Sequence, residues 1–288
     1  MNLNIIDCFC TSFPDSGNRA AVITDFDGDK NDKQSLAKQL NLPVTVFISD
    51  KEAQIPTLEY FYPDTEMPLC LHGTIAASEI LLQERETESC VFITSNGYKL
   101  NINKRESLIQ VEVAKQQSPA IEIDRTLICR MLNLSDEAVI DDLAWPLTVA
   151  SVGSPKLLIP IKSKEALLQL EPDASFIKEW SIANQVNGLY LYATPNASES
   201  DIDFFARGFN PKTGHHEDAA TGVATAALAT CLKKSLIIQQ GDKLGCPCTI
   251  VTTYVDDEHI FVGGKTSVVP SEEYLSLLEH KTTLRAAF

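Results

Sequence analysis

Two residues capable of proton transfer lie just before the two most apolar helices predicted from the sequence. His72 precedes a run of small and apolar residues at 73–83, and Asp218 lies three residues before a similar run at 221–232. Histidine titrates near neutral pH, and a carboxylate can act as its partner acid or base. The two residues are therefore candidates for moving a proton on a substrate.

The starts of the two predicted helices also suit a small carboxylate ligand. The first N–H groups of a helix have no partner within it, and the helix dipole favours an anion there. Gly73 and Thr74 begin the first predicted helix, and Thr221 and Gly222 begin the second. Glycine at such a position lets a ligand approach the backbone closely. If both helix starts face one cleft, we expect their amides to bind a substrate carboxylate.

The same spacing also has an ordinary structural explanation. In that interpretation both helices are simply capped core helices, His72 packs at one helix start and Asp218 caps the other. Spacing alone leaves both interpretations open.

Each half of the chain surrounds one of these helices with predicted strands. A helix that is apolar on nearly all sides must be buried. The segments 66–77 and 217–227 are similar, which indicates an internal duplication. We therefore predict an α+β fold with two pseudo-symmetric lobes, each a β-barrel-like sheet wrapped around a central helix. The predicted lobes are residues 1–114 and 119–270, and a last helical segment within 271–288 is expected to pack back on the first lobe.

Composition excludes several classes of partner. The formal net charge is −15, from 39 acidic and 24 basic residues, and such a field repels nucleic acid and anionic membranes. No basic segment followed by an apolar run is found near Met1, so we expect a cytoplasmic protein. The eight cysteines are then expected to be reduced, and their C-x-C pairs lack zinc-site spacing. We expect no metal site.

Several segments, spread almost end to end, match one known family in order and spacing. They are Asp7-Cys-Phe, Ser16-Gly-Asn-Arg-Ala-Ala-Val, Asn41-Leu-Pro-Val-Thr-Val-Phe, Glu66-Met-Pro-Leu-Cys-Leu-His-Gly-Thr, Gly153-Ser-Pro-Lys-Leu-Leu-Ile-Pro, Phe205-Ala-Arg-Gly-Phe, Glu217-Asp-Ala-Ala-Thr-Gly and Gln240-Gly-Asp-Lys-Leu-Gly. Together they resemble the phenazine-biosynthesis PhzF-like isomerase family. The resemblance implies a diaminopimelate epimerase-like fold with the site between the lobes. It further implies chemistry without a metal or organic cofactor, and often a homodimer.

The best-known reaction of that family is isomerisation of a dihydro-hydroxyanthranilate by proton transfer, and its relatives include amino-acid epimerases and racemases. The family's principal acid/base is a glutamate, and its position falls on Val44 in this chain. A family serine falls on Val223. His72, Asp218, Gly73 and Gly222 are retained. Valine cannot carry a proton, so the resemblance implies that the usual proton shuttle is altered.

Three functional interpretations follow. A modified isomerase uses His72 and Asp218 on a small carboxylate, with Cys70 as a further possible base. The segment from Cys70 to Thr74 is similar to C-G-H-G-T of proline-racemase-like enzymes, but the second thiol of those enzymes would fall near Ala219 and is absent. Alternatively, the chain is a catalytically impaired member of the fold that binds a small ligand. A role limited to protein–protein contact is the third interpretation, and no particular segment supports it.

Overall fold

The computed structural model describes residues 1–13, 16–135, 139–141, 143–196, 199, 201–213 and 215–270. Packing divides the chain into two compact units. Unit 1 contains Met1–Cys10, Asn18–Val111 and the chain from Gly264, and unit 2 contains Thr11–Gly17 and Glu112–Gly263. The lobe boundaries predicted from the sequence stay a prediction. The predicted last helix and its packing, in residues 271–288, lie outside the described residues.

Unit 1 is a sheet with one helix against each face. Its helices are α1 (Lys30–Leu40) and α2 (Leu71–Glu84), and its strands are β1 (Asn2–Cys10), β2 (Asn18–Thr24), β3 (Val44–Ser49), β4 (Thr57–Phe61), β5 (Glu66–Met67), β6 (Ser89–Thr94), β7 (Lys99–Arg105) and β8 (Leu108–Val113). The strand order is β1-β2-β3-β4-β6-β7-β8, with β5 beside β4. A later strand, β16 (Ile260–Val269), neighbours both β8 and β1. Eight strands therefore close into a barrel.

Alternation along β3 determines which side chains meet each helix of unit 1. Phe47 packs in a cluster with Ala37 and Leu40 of α1. Val44 and Val46 point to the other face, where their methyl groups lie against the start of α2. Helix α2 contacts β1, β2, β3 and β6 and is buried on nearly all sides. Its small and apolar residues permit this position, because they leave few polar groups without partners.

In unit 2, too, the strands carry helices on both of their faces. Its helices are α3 (Arg125–Met131), α4 (Lys164–Gln169), α5 (Ala174–Ala183) and α6 (Gly222–Leu232), and its strands are β9 (Thr148–Ala150), β10 (Lys156–Ile161), β11 (Leu189–Ala193), β12 (Phe204–Asn210), β13 (His215–Asp218), β14 (Leu236–Gln240), β15 (Cys248–Tyr254) and the first residues of β16. The strand order is β16-β15-β14-β12-β11-β10-β9, with β13 beside β12. Helix α6 contacts β9, β10, β14 and β15, so the sheet must curve around it.

Both faces of the unit 2 sheet are apolar. Leu158 and Tyr190 belong to a cluster with Ala224 of α6, whereas Leu157 and Leu189 belong to the cluster formed with α3, α4 and α5. Strands buried on both faces read as continuous apolar runs, as β10 does. The predicted α+β fold, a sheet around a central helix in each half, is thus confirmed. No helix in the described ranges is long and apolar enough to span a bilayer.

Candidate active site

His72 lies in the first turn of α2, not one residue before it, because the helix begins at Leu71 with Cys70 as its N-cap. The imidazole is buried, with 8% of the residue exposed. Its Nε2 atom lies 2.8 Å from the carbonyl oxygen of Asn18. A carbonyl oxygen only accepts, so Nε2 carries the hydrogen and donates it. In the neutral ring, Nδ1 is then the nitrogen that can accept a proton.

Burial controls the charge of His72. It lowers the pKa of the imidazole from 6.5 to about 4, although the Asn18 carbonyl and the negative charge of Asp7 act in the opposite direction. The ring is therefore neutral at pH 7. Its environment disfavours the cation because an apolar interior solvates charge poorly. A bound anion beside the ring would reverse that preference.

A β-bulge in β1 shapes the surroundings of His72. The pairing of β1 with β16 shifts between Cys8 and Cys10, and Phe9 between them has φ of 62°. A bulky residue in this left-handed region is strained by roughly 1–3 kcal/mol. The distortion puts the Phe9 ring 6.4 Å from the imidazole, centroid to centroid. The Cys8 thiol donates to the His72 carbonyl oxygen at 3.7 Å.

Cys70 caps the start of α2. Its Sγ atom accepts a hydrogen bond from the Gly73 N–H at 3.4 Å, and the Tyr62 hydroxyl donates to the same sulfur at 3.8 Å. The Thr74 N–H donates to the Cys70 carbonyl oxygen at 2.8 Å, and the Thr74 hydroxyl lies 2.7 Å from that of Tyr60. The Gly73 amide, predicted from the sequence as an anion ligand, thus has a weak sulfur acceptor as its partner.

Val44 is fully buried against this helix start. A methyl group added to Gly73 would lie 3.3 Å from Cγ2 of Val44 and 2.6 Å from Cγ2 of Val46. The absence of a side chain at Gly73 is therefore what lets β3 approach α2. Unit 1 thereby brings together Val44, Cys70, His72 and Gly73, as residues of one neighbourhood.

Unit 2 holds Asp218 at the end of β13, just before α6. Its Oδ2 atom accepts from the Thr221 hydroxyl at 2.9 Å, and Oδ1 lies 3.4 Å from the Ala220 N–H. The Gln240 amide nitrogen donates to the Asp218 carbonyl oxygen at 2.6 Å and to Thr221 Oγ1 at 3.0 Å. The Gln240 amide oxygen accepts from the Thr221 N–H at 3.1 Å. Gln240, for which no role is predicted from the sequence, thus orients both residues.

The start of α6 differs from that of α2. The Thr221 hydroxyl is engaged with Asp218, and the Thr221 side chain makes no capping hydrogen bond to the helix. Gly222 is buried and Val223 is half-buried. The N-cap side chain of α6 thus leaves the first amides of the helix uncapped, whereas Cys70 caps α2, and a helix start of this kind can bind an anion.

Gly208 of β12 makes the packing around Thr221 possible. A methyl group added to Gly208 would lie 2.2 Å from Thr221 Oγ1. Its neighbour Arg207 points to the other face and pairs with Glu217 through two hydrogen bonds of 2.8 Å. Arg207 also donates to the carbonyl oxygens of Leu167 and Leu170. The arginine therefore joins the C-terminal end of α4 to the sheet and is occupied by structural contacts.

No cluster of three or more His, Cys, Asp or Glu residues suited to a metal ion is found within the described part of the chain. The residues predicted from the sequence instead form two groups. Val44, Cys70, His72, Gly73 and Thr74 lie together in unit 1. Asp218, Thr221, Gly222 and Val223 lie together at the start of α6 in unit 2.

Proteins of similar sequence carry isomerase names. An uncharacterized isomerase of Clostridium acetobutylicum is 30% identical over 241 residues, which cover 80% of this chain and 78% of that protein. Uncharacterized isomerase YfhB of Bacillus subtilis is 28% identical over 250 residues, 82% of this chain and 84% of its own. These similarities support an isomerase-like function.

Solved structures share the fold. The Bacillus anthracis phenazine biosynthesis protein of the PhzF family superposes with a TM-score of 0.74 at 21% identity, covering 94% of this chain and 100% of that one. A predicted epimerase from Pseudomonas aeruginosa gives a TM-score of 0.73 at 20% identity, covering 93% and 96%.

The family model described as phenazine biosynthesis-like protein matches residues 6–270 of this chain. The match includes both groups of site residues and nearly the whole described fold. The family relationship inferred from the sequence motifs is therefore confirmed. The chain belongs to the PhzF family of phenazine biosynthesis-like proteins.

Proposed function

We propose that this chain is an isomerase that moves a proton on a small carboxylate substrate, without a metal or organic cofactor. His72 and Asp218 handle the proton, and the first amides of α6 bind the carboxylate. The observation that carries the proposal is the state of His72: a buried neutral imidazole whose Nε2–H is held by a backbone carbonyl. Such a ring has one defined tautomer and one nitrogen prepared to accept.

His72 is inactive as a cation and useful as a neutral base. With its pKa held near 4 by burial, the ring does not carry a proton at pH 7 before substrate arrives. A bound carboxylate raises that pKa, because an opposite charge nearby favours the imidazolium. Proton uptake by Nδ1 is then coupled to substrate binding, while the Asn18 carbonyl keeps the ring oriented.

Asp218 serves as the second proton-handling group. Its carboxylate is oriented by the Thr221 hydroxyl on Oδ2, and the Gln240 amide fixes the backbone that carries it. A carboxylate held in this way can receive or return a proton at a defined position. The amides of Gly222 and Val223 then bind the negative end of the substrate. Gly73 adds a third amide if the ligand replaces the weak Cys70 acceptor, and Thr74 supports this helix start through Tyr60.

Cys70 is assigned a capping role in this proposal. Its thiol accepts from the Gly73 N–H, which is the contact expected of an N-cap, and also from the Tyr62 hydroxyl. The proposal therefore gives no proton-transfer step to Cys70.

The alternative function is ligand binding without turnover. It is favoured by Val44, which is fully buried beside Gly73 at the position that corresponds, by the family resemblance, to the catalytic glutamate. Val223 at the start of α6 makes the second group less polar in the same way. A site altered at both positions would retain the carboxylate-binding amides while losing the family's usual base.

Deuterium exchange separates the two functions. The protein is incubated in D2O with L-alanine, L-proline and L-glutamate and with unsaturated cyclic carboxylates, and deuterium at carbon is measured by NMR and mass spectrometry. His72→Gln keeps a donor for Asn18, and Asp218→Asn keeps an acceptor for Thr221. We expect both to reduce exchange at least roughly 100-fold with unchanged folding, and the exposed His259→Asn to leave it unchanged. Equal rates in wild type and both site variants would eliminate these roles.

Binding by the wild type without exchange would favour the ligand-binding function. Ligand-induced thermal stabilisation measures that binding, because a ligand that binds only the folded state raises the unfolding midpoint. A cytoplasmic location and a homodimer, implied by the sequence and by the family resemblance, stay proposals. Light scattering on the purified protein tests the second.

A further inference from the structure

Lys156, the first residue of β10, is a buried lysine that the proposed mechanism does not use. Only 2% of the residue is exposed, and it forms no ion pair with a carboxylate of the described residues. Its ammonium nitrogen donates to the carbonyl oxygen of Asn187. Lysine is rarely buried without a charged partner, because removing an ammonium from water is costly. The position therefore calls for an explanation.

Strand register places Lys156 on the face of the sheet that meets α6. Side chains alternate along a strand, and Leu158, two residues further on, packs against α6. Leu158 lies opposite Tyr190 in the parallel pair of β10 and β11. Tyr190 lies opposite Gly208, and Gly208 opposite Asp218. Lys156 thus lies two residues along β10 from a row that ends at Asp218.

Along β10, the direction from Leu158 to Lys156 is towards the N-terminal end of α6. Thr221, the N-cap of α6, packs on Gly208 and forms a hydrogen bond with Gln240. Gln240 is in β14 and lies opposite Ala206 of β12. The row through Gly208 therefore marks the N-terminal end of the helix. From this row, Lys156 extends away from the helix body. The amine, the first amides of α6 and the Asp218 carboxylate accordingly belong to one end of unit 2.

Electrostatics agree with this placement. Burial lowers the pKa of Lys156 to about 7, while the charge of Asp218 acts in the opposite direction and Lys212 adds to the lowering. The amine thus loses its proton more readily than a solvent-exposed lysine does. The positive end of the α6 dipole also disfavours a second cation nearby. This end of unit 2 would therefore stabilise an anion that contacts both the Lys156 ammonium and the first amides of α6.

We infer that Lys156 is a substrate-binding residue whose ammonium pairs with the carboxylate of the substrate at the start of α6. The inference rests on the proposed function, since it assigns a cation to the same carboxylate. The buried amine takes up a proton when the anion binds, because the new ion pair favours the charged form. Lys156 therefore couples substrate binding to proton uptake at a pH above the lowered pKa of its amine.

Calorimetry tests this coupling with benzoate, L-alanine and L-glutamate as probes, at pH 8 in two buffers of different ionisation enthalpy. We expect the wild type to take up most of one proton with at least one probe. Lys156→Met and Lys156→Gln should bind that probe roughly tenfold or more weakly and without proton uptake. Lys162→Met, an exposed lysine near the other end of β10, should bind as the wild type does.

His72→Gln separates the two titrating groups, because proton uptake at pH 8 should persist in this variant if Lys156 is its source. Loss of uptake in His72→Gln, unchanged affinity in the Lys156 variants, or failure of all three probes to bind the wild type would each overturn the inference. Exchange assays keep this result apart from the proposed function. If proton uptake depends on Lys156 but no deuterium exchange occurs, the carboxylate-binding role of Lys156 stands and the isomerase proposal fails. If exchange occurs but uptake does not depend on Lys156, the isomerase proposal stands and the role of Lys156 fails.

Discussion

The Nε2 atom of His72 donates a hydrogen bond to the Asn18 carbonyl oxygen across 2.8 Å. This contact links the first turn of α2 to the first residue of β2. It determines the tautomer of a buried ring whose pKa lies at about 4. The proton-accepting nitrogen is therefore decided by a backbone atom that is distant in sequence.

His72 should make the protein sensitive to mild acid. Its folded-state pKa lies below the unfolded value of 6.5, so the unfolded chain binds more protons between pH 6.5 and 4. The stabilising contribution of the neutral ring is complete above pH 6.5 and is lost as the pH falls towards 4, by up to about 3 kcal/mol. Urea unfolding at pH 7 and pH 4.5 should show a smaller acid-induced loss in His72→Gln than in the wild type. Equal losses would contradict the prediction.

Gly208→Ala should disturb the group around Asp218. The added methyl would lie 2.2 Å from Thr221 Oγ1, so the Thr221 side chain must move and release the Asp218 carboxylate. We expect a loss of roughly 1–3 kcal/mol in the free energy of unfolding. In a Thr221→Ala background the loss should be clearly smaller, because the clashing oxygen is gone. Denaturant titrations of the four proteins measure this, and additive losses would show that Thr221 is not the obstacle.

Val44→Glu should introduce a carboxylate into a fully buried position. Burial raises the pKa of such a group above about 4.3, and the folded state then binds more protons than the unfolded state. The variant should therefore lose stability as the pH rises from 4.5 to 7, relative to Val44→Gln, which has the same size without the charge. Thermal unfolding of the two variants across this range provides the measurement. Parallel pH profiles would indicate that the new carboxylate reaches solvent.

Cys70 variants distinguish a helix cap from a catalytic thiol. Serine is a preferred N-cap and alanine is not, so Cys70→Ser should retain the stability of the wild type while Cys70→Ala loses roughly 1 kcal/mol. If the thiol only caps α2, Cys70→Ser should also retain any deuterium exchange. Loss of exchange in a well-folded Cys70→Ser protein would instead support a thiol base.

The sequence predicts an element correctly where the residues of that element alone carry a clear hydrophobic pattern. The helices α2 and α6 are apolar on nearly all sides, and both were predicted within a few residues of their ends. The sequence pattern also predicts strands at Leu108–Val113, Lys156–Ile161 and Cys248–Tyr254, and β8, β10 and β15 have these bounds. Helix α5 and strand β14 received no prediction, and the short strands β5 and β13 lie in segments expected from the sequence to be loops. Strand β14 is only five residues long, and its burial depends on pairing with β12 and β15.

The sequence by itself determined the family, the two central helices and the types of residue at their starts, because hydrophobic periodicity and motif spacing are local properties of a chain. Only the tertiary structure decided that Asn18 holds His72, that Gln240 orients Asp218 and Thr221, and that Lys156 is buried on the face of α6. These relationships follow from strand register and from packing between distant segments. One residue of slip along a strand would move each of these side chains to the other face.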